Sequence, residues 1–157
     1  MKILNIGDKA PGFTVVSTDK QMVSLSDFAG KNVLLLFFPF AFTGTCTKEL
    51  CMIKDDIARY TTVNAQVVAI SVDSPHCLKK YKEELQLPFI VLSDFNKLIS
   101  NSYGCLYEEF FLGLKGVSKR SAFVIDSEGV IKYEEILENA GDIPNFELIN
   151  QTLASLN

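Results

Sequence analysis

Pro39, Thr43 and Cys46 fall within the stretch Pro39-Phe40-Ala41-Phe42-Thr43-Gly44-Thr45-Cys46-Thr47-Lys48-Glu49-Leu50-Cys51, where an apolar run gives way to a helical pattern. A cysteine in the first turn of a helix lies beside backbone N–H groups without intrahelical partners, at the positive end of the macrodipole. Both favour thiolate over thiol, and the thiolate is the nucleophile. Position 46 therefore suits a reactive cysteine. Cys46 also heads an apolar stripe, and a buried free cysteine can be an inert small hydrophobe. The Thr43 hydroxyl can donate and accept, so it can hold a thiolate and a bound oxygen together, or cap the helix start. Pro39 carries no N–H, so it either spares the thiolate a stray hydrogen bond or simply ends the strand before it.

The elements that would position these residues follow from periodicity. Phe13 to Val16 is strand-like, and Ser24 to Gly30 reads as a turn. Asn32 to Phe38 is a continuous apolar run of strand length, the pattern of a strand buried on both faces. Cys46, Leu50, Ile53, Ile57 and Tyr60 recur at intervals of three and four, predicting one apolar helix face. Gln66 to Val72 is a second buried strand. Ser74-Pro75 opens a helix ending near Gln86, Phe89 to Leu92 is a third strand, and Asn96 to Tyr103 a short helix. Cys105 to Val117, with Gly113 and Gly116, reads as an irregular loop. Ser121 to Ile125 and Val130 to Ile136 flank Ser127-Glu128-Gly129 as a hairpin. Phe146, Ile149, Leu153 and Leu156 mark a closing amphipathic helix, with Asp142 and Pro144 near its start. Alternating strands and helices, then a hairpin and a helix, predict an α/β three-layer sandwich with a mixed central sheet flanked by helices. The crevice beyond a strand's carboxyl end, where such folds bind ligands, is where Cys46 falls.

The chain has 157 residues, 48% apolar and 22% charged, with a net charge of −4. That length suits one domain, expected to span 1–157, with a substantial core. The acidic balance argues against nucleic acid, which needs clustered Lys and Arg; the Lys79-Lys80-Lys82 spot is offset by Glu83-Glu84 and reads as a solvated helix face. The longest apolar run, Val33 to Phe42, is too short for a bilayer, which takes ~20 residues, and no secretory pattern precedes the domain. A cytoplasmic protein without membrane partners is expected, and its four cysteines are then candidate thiols or packing residues rather than structural disulfides.

Pro39, Thr43 and Cys46 match the P-x-x-x-T-x-x-C signature of the peroxiredoxins in the strand–loop–helix setting. The resemblance extends from Gly7-Asp8-Lys9-Ala10-Pro11-Gly12-Phe13 to Arg120-Ser121-Ala122-Phe123-Val124-Ile125-Asp126, nearest the bacterioferritin-comigratory (Q-type) and E-type alkyl hydroperoxide reductase groups. It implies a thioredoxin-like fold and a thiol-dependent peroxidase for hydrogen peroxide and organic hydroperoxides, with no cofactor. The Cys46 thiolate would attack the O–O bond, releasing water or an alcohol and leaving a sulfenic acid. Arg120 matches the family's active-site arginine; its guanidinium can stabilise both the thiolate and the departing oxygen. The only other arginine, Arg59, would lie about 20 Å from Cys46 by helix rise and can complement a helix C-terminus. Glu49 can orient Arg120 or serve as a favourable acid in a first helical turn. Phe40 and Phe42 can line the mouth for organic hydroperoxides or pack ordinarily.

The same resemblance implies that Cys51, five positions after Cys46, resolves the sulfenic acid, with thioredoxin or a similar dithiol as reductant. On a continuous helix the two Cα atoms lie roughly 8.5 Å apart, beyond the ~7 Å a disulfide tolerates, so bridging them requires the helix start to unwind. Gly44-Thr45 replaces the Pro-Gly common in Q-type members and is nearer the E-type form, many of whose members lack a resolver there. Cys77, beside the sole His76, and Cys105 are fallback resolvers or packing residues. A monomer or homodimer is expected. A thiol–disulfide oxidoreductase would carry C-x-x-C rather than C-x4-C. A metal site from Cys46, Cys51, His76 and Cys77 lacks the usual ligand spacing, and a binding module has no need of the Thr43–Cys46–Arg120 set.

Overall fold

A computed structural model describes residues 3–156 of the chain. Its strands are β1 (Thr14–Val16), β2 (Met22–Ser24), β3 (Asn32–Phe37), β4 (Ala65–Ser71), β5 (Ile90–Ser93), β6 (Ser121–Ile125) and β7 (Ile131–Ile136). Its helices are α1 (Gly44–Asp55), α2 (Ile57–Thr62), α3 (Pro75–Leu85), α4 (Leu98–Ser102) and α5 (Phe146–Ser155).

The main sheet has the order β5-β4-β3-β6-β7, with β3, β4 and β5 parallel and β6 and β7 antiparallel to their neighbours. The unbroken apolar run of β3 is explained by its central place, buried at every residue. Strand alternation sends Leu34, Leu36, Val67, Ala69 and Val124 to one face, against Leu50 and Ile53 of α1, Leu78 and Tyr81 of α3, and Ile149 and Leu153 of α5. Val33, Leu35, Phe37, Ile70 and Phe123 face the other way, against Phe28, Ile99 and Tyr103. The result is the expected mixed α/β sandwich.

The local differences have physical reasons. The single helix expected through Tyr60 is two: Asp56 (φ −109°, ψ 18°) leaves the helical region between α1 and α2, and its carboxylate binds Arg59 Nε at 2.6 Å. The apolar spacing survives the break, so periodicity alone could not register it. Arg59 thus pairs with Asp56 in the last turn of α2. The expected turn from Ser24 contains a 3-10 segment, Leu25–Phe28, following the short β1–β2 hairpin, whose second strand has too few residues to show a period. The β6–β7 hairpin turns at Gly129 (φ +84°), with the Asp126 carboxylate accepting from the Glu128 and Val130 N–H groups. Ser74 and Asn145 cap α3 and α5 by accepting from Cys77 and Leu148 N–H. No helix among the described residues is long and apolar enough to cross a membrane.

Candidate active site

β3 delivers the chain to the carboxyl end of the sheet, where Pro39 to Thr43 turn into α1. The first helical bond runs from Thr47 N–H to the Thr43 carbonyl at 3.0 Å, so the amides before it have no intrahelical acceptor. Gly44, Thr45 and Cys46 line a cleft of about 420 Å³ together with Pro39, Phe40 and Thr43. Its far wall comes from Phe110, Phe111, Leu112 and Leu114, and Ala140 and Gly141 complete it.

Cys46 is 1% exposed. Its Sγ accepts from Arg120 Nη2 at 3.2 Å, and the same nitrogen donates to the Ala140 carbonyl at 3.1 Å. Arg120 Nη1 donates to Glu49 Oε1 at 2.8 Å. The guanidinium, itself buried, therefore bridges a sulfur and a carboxylate on one helix, three residues apart. Burial alone would lower the arginine's pKa; the charges of Glu49 and Cys46 outweigh it and hold it above the ordinary value. Burial pushes Glu49 up to about 7, against the attraction of Arg120. Glu49 Oε2 and Arg120 Nε are buried and have no hydrogen-bond partner among the described residues. The sequence alternative for Glu49, an acid in a first helical turn, is corrected: α1 has none there, and Glu49 points inward to Arg120.

Thr43 occupies the N-cap position without a side-chain cap; its hydroxyl donates to the Phe40 carbonyl at 2.8 Å, leaving its lone pairs to accept. Phe40 stands in the cleft wall against Phe110, whereas Phe42 packs 5.0 Å from the Tyr81 ring outside it. All four cysteines are free thiols. Cys51 is half-buried on the unbroken α1 and does not line the cleft. The Cys77 thiol is raised by burial and by the Asp73 charge, and that of Cys105 is pushed up to about 12 by burial. Among the described residues no three His, Cys, Asp or Glu side chains cluster to hold a metal, so Cys51, His76 and Cys77 do not converge on Cys46.

The wall from Phe110 to Leu114 and the Ala140 carbonyl were not identified from the sequence. The first carried a signal: Phe110-Phe111-Leu112 places three apolar residues together in a loop, and Phe111 and Leu112 remain 71% and 80% exposed. A backbone carbonyl has no residue signature at all.

Residues 6–134 match the model of the AhpC/TSA family. Alkyl hydroperoxide reductase E of Mycobacterium tuberculosis is 35% identical over 157 residues, covering 98% of this chain and 99% of its own. A Coxiella burnetii protein named as the peroxiredoxin bcp is 37% identical over 130 residues, 82% of this chain and 85% of that one. Among solved structures, a peroxiredoxin-like protein from Aquifex aeolicus superposes with a TM-score of 0.90 at 26% identity, over 100% of this chain and 90% of that one.

Proposed function

Given that the chain belongs to the AhpC/TSA family and is a peroxidase of the peroxiredoxin kind, we propose that Cys46 is its peroxide-reacting thiol and Arg120 the group that stabilises the charge in that reaction. The observation that carries this reading is the 3.2 Å contact between Arg120 Nη2 and Cys46 Sγ at an apolar cleft. A guanidinium stays charged and presents fixed donors, so it acts where negative charge begins, on sulfur, and where it ends, on the leaving oxygen. Glu49 holds the opposite side of that guanidinium. Thr43 supplies an acceptor for the peroxide proton, and Pro39 contributes a wall without an N–H.

The Cys46 thiolate attacks the distal peroxide oxygen. The S–O bond forms as O–O breaks, sulfur is oxidised to the sulfenic acid, and the departing oxygen leaves as water or an alcohol after taking up a proton. Cys51 then attacks the Cys46 sulfur, expelling water and closing a disulfide, and a dithiol such as thioredoxin restores both thiols by exchange. The unbroken α1 keeps the pair too far apart to bridge, so closure follows unwinding of its first turns. Phe40, Phe110, Phe111, Leu112 and Leu114 give the cleft room and apolar contact for organic hydroperoxides beside hydrogen peroxide. The reading describes one domain over residues 1–157, acting in the cytoplasm as a monomer or homodimer.

Peroxide turnover with thioredoxin, measured for wild type beside Cys46→Ser and Cys51→Ser, tests it. The first variant is expected to be inactive; the second completes one oxidation and stalls. Sustained turnover by Cys46→Ser would sink the assignment, and wild-type turnover by Cys51→Ser would remove Cys51 from the cycle. Oxidised wild type should show a Cys46–Cys51 mass linkage and a weaker far-ultraviolet helical signal.

A further inference from the structure

We propose that Asp73 is a positioning residue that latches the active-site loop in its peroxide-reactive form; this rests on Cys46 being the peroxide-reacting thiol and, for its disulfide arm, on Cys51 as resolver. Asp73 lies just past the carboxyl end of β4, the inner strand between β5 and β3. Its Oδ2 accepts from the Ala41 N–H at 2.8 Å and from the Ser71 hydroxyl at 2.7 Å, while the Ser71 oxygen accepts from Asp73 N–H at 3.0 Å. On its other side, Ser93 of β5 donates to the Asp73 carbonyl at 2.6 Å. Ser71 and Ser93 are both buried, so Asp73 is fixed between two neighbouring strands, its carboxylate by Ser71 of β4 and its backbone by Ser93 of β5.

Beyond the packing of Ala41 in the core and of Phe40 and Phe42 on Phe110 and Tyr81, the loop it holds has few polar tethers. Among the described residues, the Ala41–Asp73 bond is the single hydrogen bond joining residues 39–43 to an element other than α1. The next residue, Phe42, sits at φ +64°, a strained conformation for a bulky side chain that persists only if its surroundings impose it. Thr43 and the start of α1 follow directly. A charge-assisted bond at Ala41 is therefore placed to keep Thr43 and Cys46 against Arg120.

Releasing the latch has opposite consequences for the two halves of the cycle. Oxidation of Cys46 requires the folded loop, whereas expulsion of water from the sulfenic acid by Cys51 requires α1 to unwind. Losing Asp73 should slow the first step and speed the second. Destabilisation elsewhere in the fold, away from this loop and α1, has no reason to split them. The bond needs an acceptor and not specifically a charge: Ala41 and Ser71 converge on one oxygen, and no hydrogen bond reaches Oδ1 among the described residues. An asparagine can therefore present its amide oxygen at the same point.

The test compares wild type, Asp73→Ala and Asp73→Asn by rapid mixing with hydrogen peroxide, following Cys46 oxidation and disulfide closure separately, together with hydrogen exchange of the Ala41 amide in the reduced protein. Asp73→Ala is expected to oxidise about tenfold more slowly, a 1.4 kcal/mol effect, to close its disulfide faster, and to exchange Ala41 about tenfold faster. Asp73→Asn should recover most of each loss. Wild-type oxidation by Asp73→Ala, or no recovery in Asp73→Asn, would overturn the proposal. Should Asp73→Ala not fold, the wild type decides: a protected Ala41 amide that loses protection on oxidation supports the latch, and an unprotected one in the reduced state refutes it. Failure of the wild type to react with peroxide would strike at the role of Cys46, while the amide exchange still reports on the latch.

Discussion

Cys46 and Cys105 are equally hidden from solvent, at 1% and 0% exposed, yet their surroundings differ in kind. Cys105 lies among Ile99, Tyr103 and Phe123 on one face of the sheet. Burial pushes its thiol up to about 12, and the Ser121 hydrogen bond offsets that only in part. Cys46 lies on the opposite face, touches a guanidinium and lines a cleft. Depth alone therefore does not make a cysteine inert or reactive. What sets the two apart is a neighbouring guanidinium and an open cleft.

Replacing Arg120 with Met should move Cys46 toward the situation of Cys105. Its reaction rate with peroxide, read by stopped flow, is expected to fall about 10²–10³-fold, the range for losing a charge-stabilising donor. The fold should lose about 3–5 kcal/mol in denaturant unfolding, because Glu49 is left buried without its cation. Unchanged oxidation kinetics would mean that the cation is not what separates the two cysteines.

Glu49→Gln sharpens the contrast less violently. In the fold the Glu49 pKa is raised from 4.5 to about 7, so the folded state binds its proton more tightly than the unfolded chain does. The resulting stabilisation is fully present below pH 4.5 and is lost as pH rises through 7. Wild type should thus lose stability relative to Glu49→Gln across that window, by about 1–3 kcal/mol, in parallel urea melts at several pH values. A parallel pair of stability curves would contradict it. The same variant should slow Cys46 oxidation by about tenfold or less, since Arg120 keeps its Cys46 and Ala140 contacts.

Cys105→Ala completes the comparison with the smallest effect. Peroxide turnover should match wild type, with about 1 kcal/mol lost in stability for a small cavity. A fall in turnover would mean that Cys105 takes part in the cycle.

Much of this contrast was legible before the fold was known, for identifiable reasons. The β3 run, the Cys46–Leu50–Ile53 stripe and the Ser74-Pro75 helix start are local patterns with a fixed period or cap, and each appears where the residues imply it. Arg120 stood out by its match to the family's active-site arginine, with Arg59 the only other arginine in the chain. The break at Asp56 was invisible because Ile57 and Tyr60 resume the same spacing beyond it. The contact of Asp73 with Ala41 joins a side chain to a backbone amide 32 residues away, and no residue type advertises an amide. Likewise, Phe110 to Leu114 become a wall only because the chain folds back over the cleft.

The guanidinium that meets Cys46 comes from 74 residues farther along the chain. Proteins are synthesised at about 5–20 residues per second, so a nascent polypeptide carries this sulfur for several seconds before its partner has been added. Arg120 reaches it through β6, which aligns antiparallel to β3, so the pair can meet only after that strand has docked. A contact between the two side chains therefore cannot form until the chain has been made through β6.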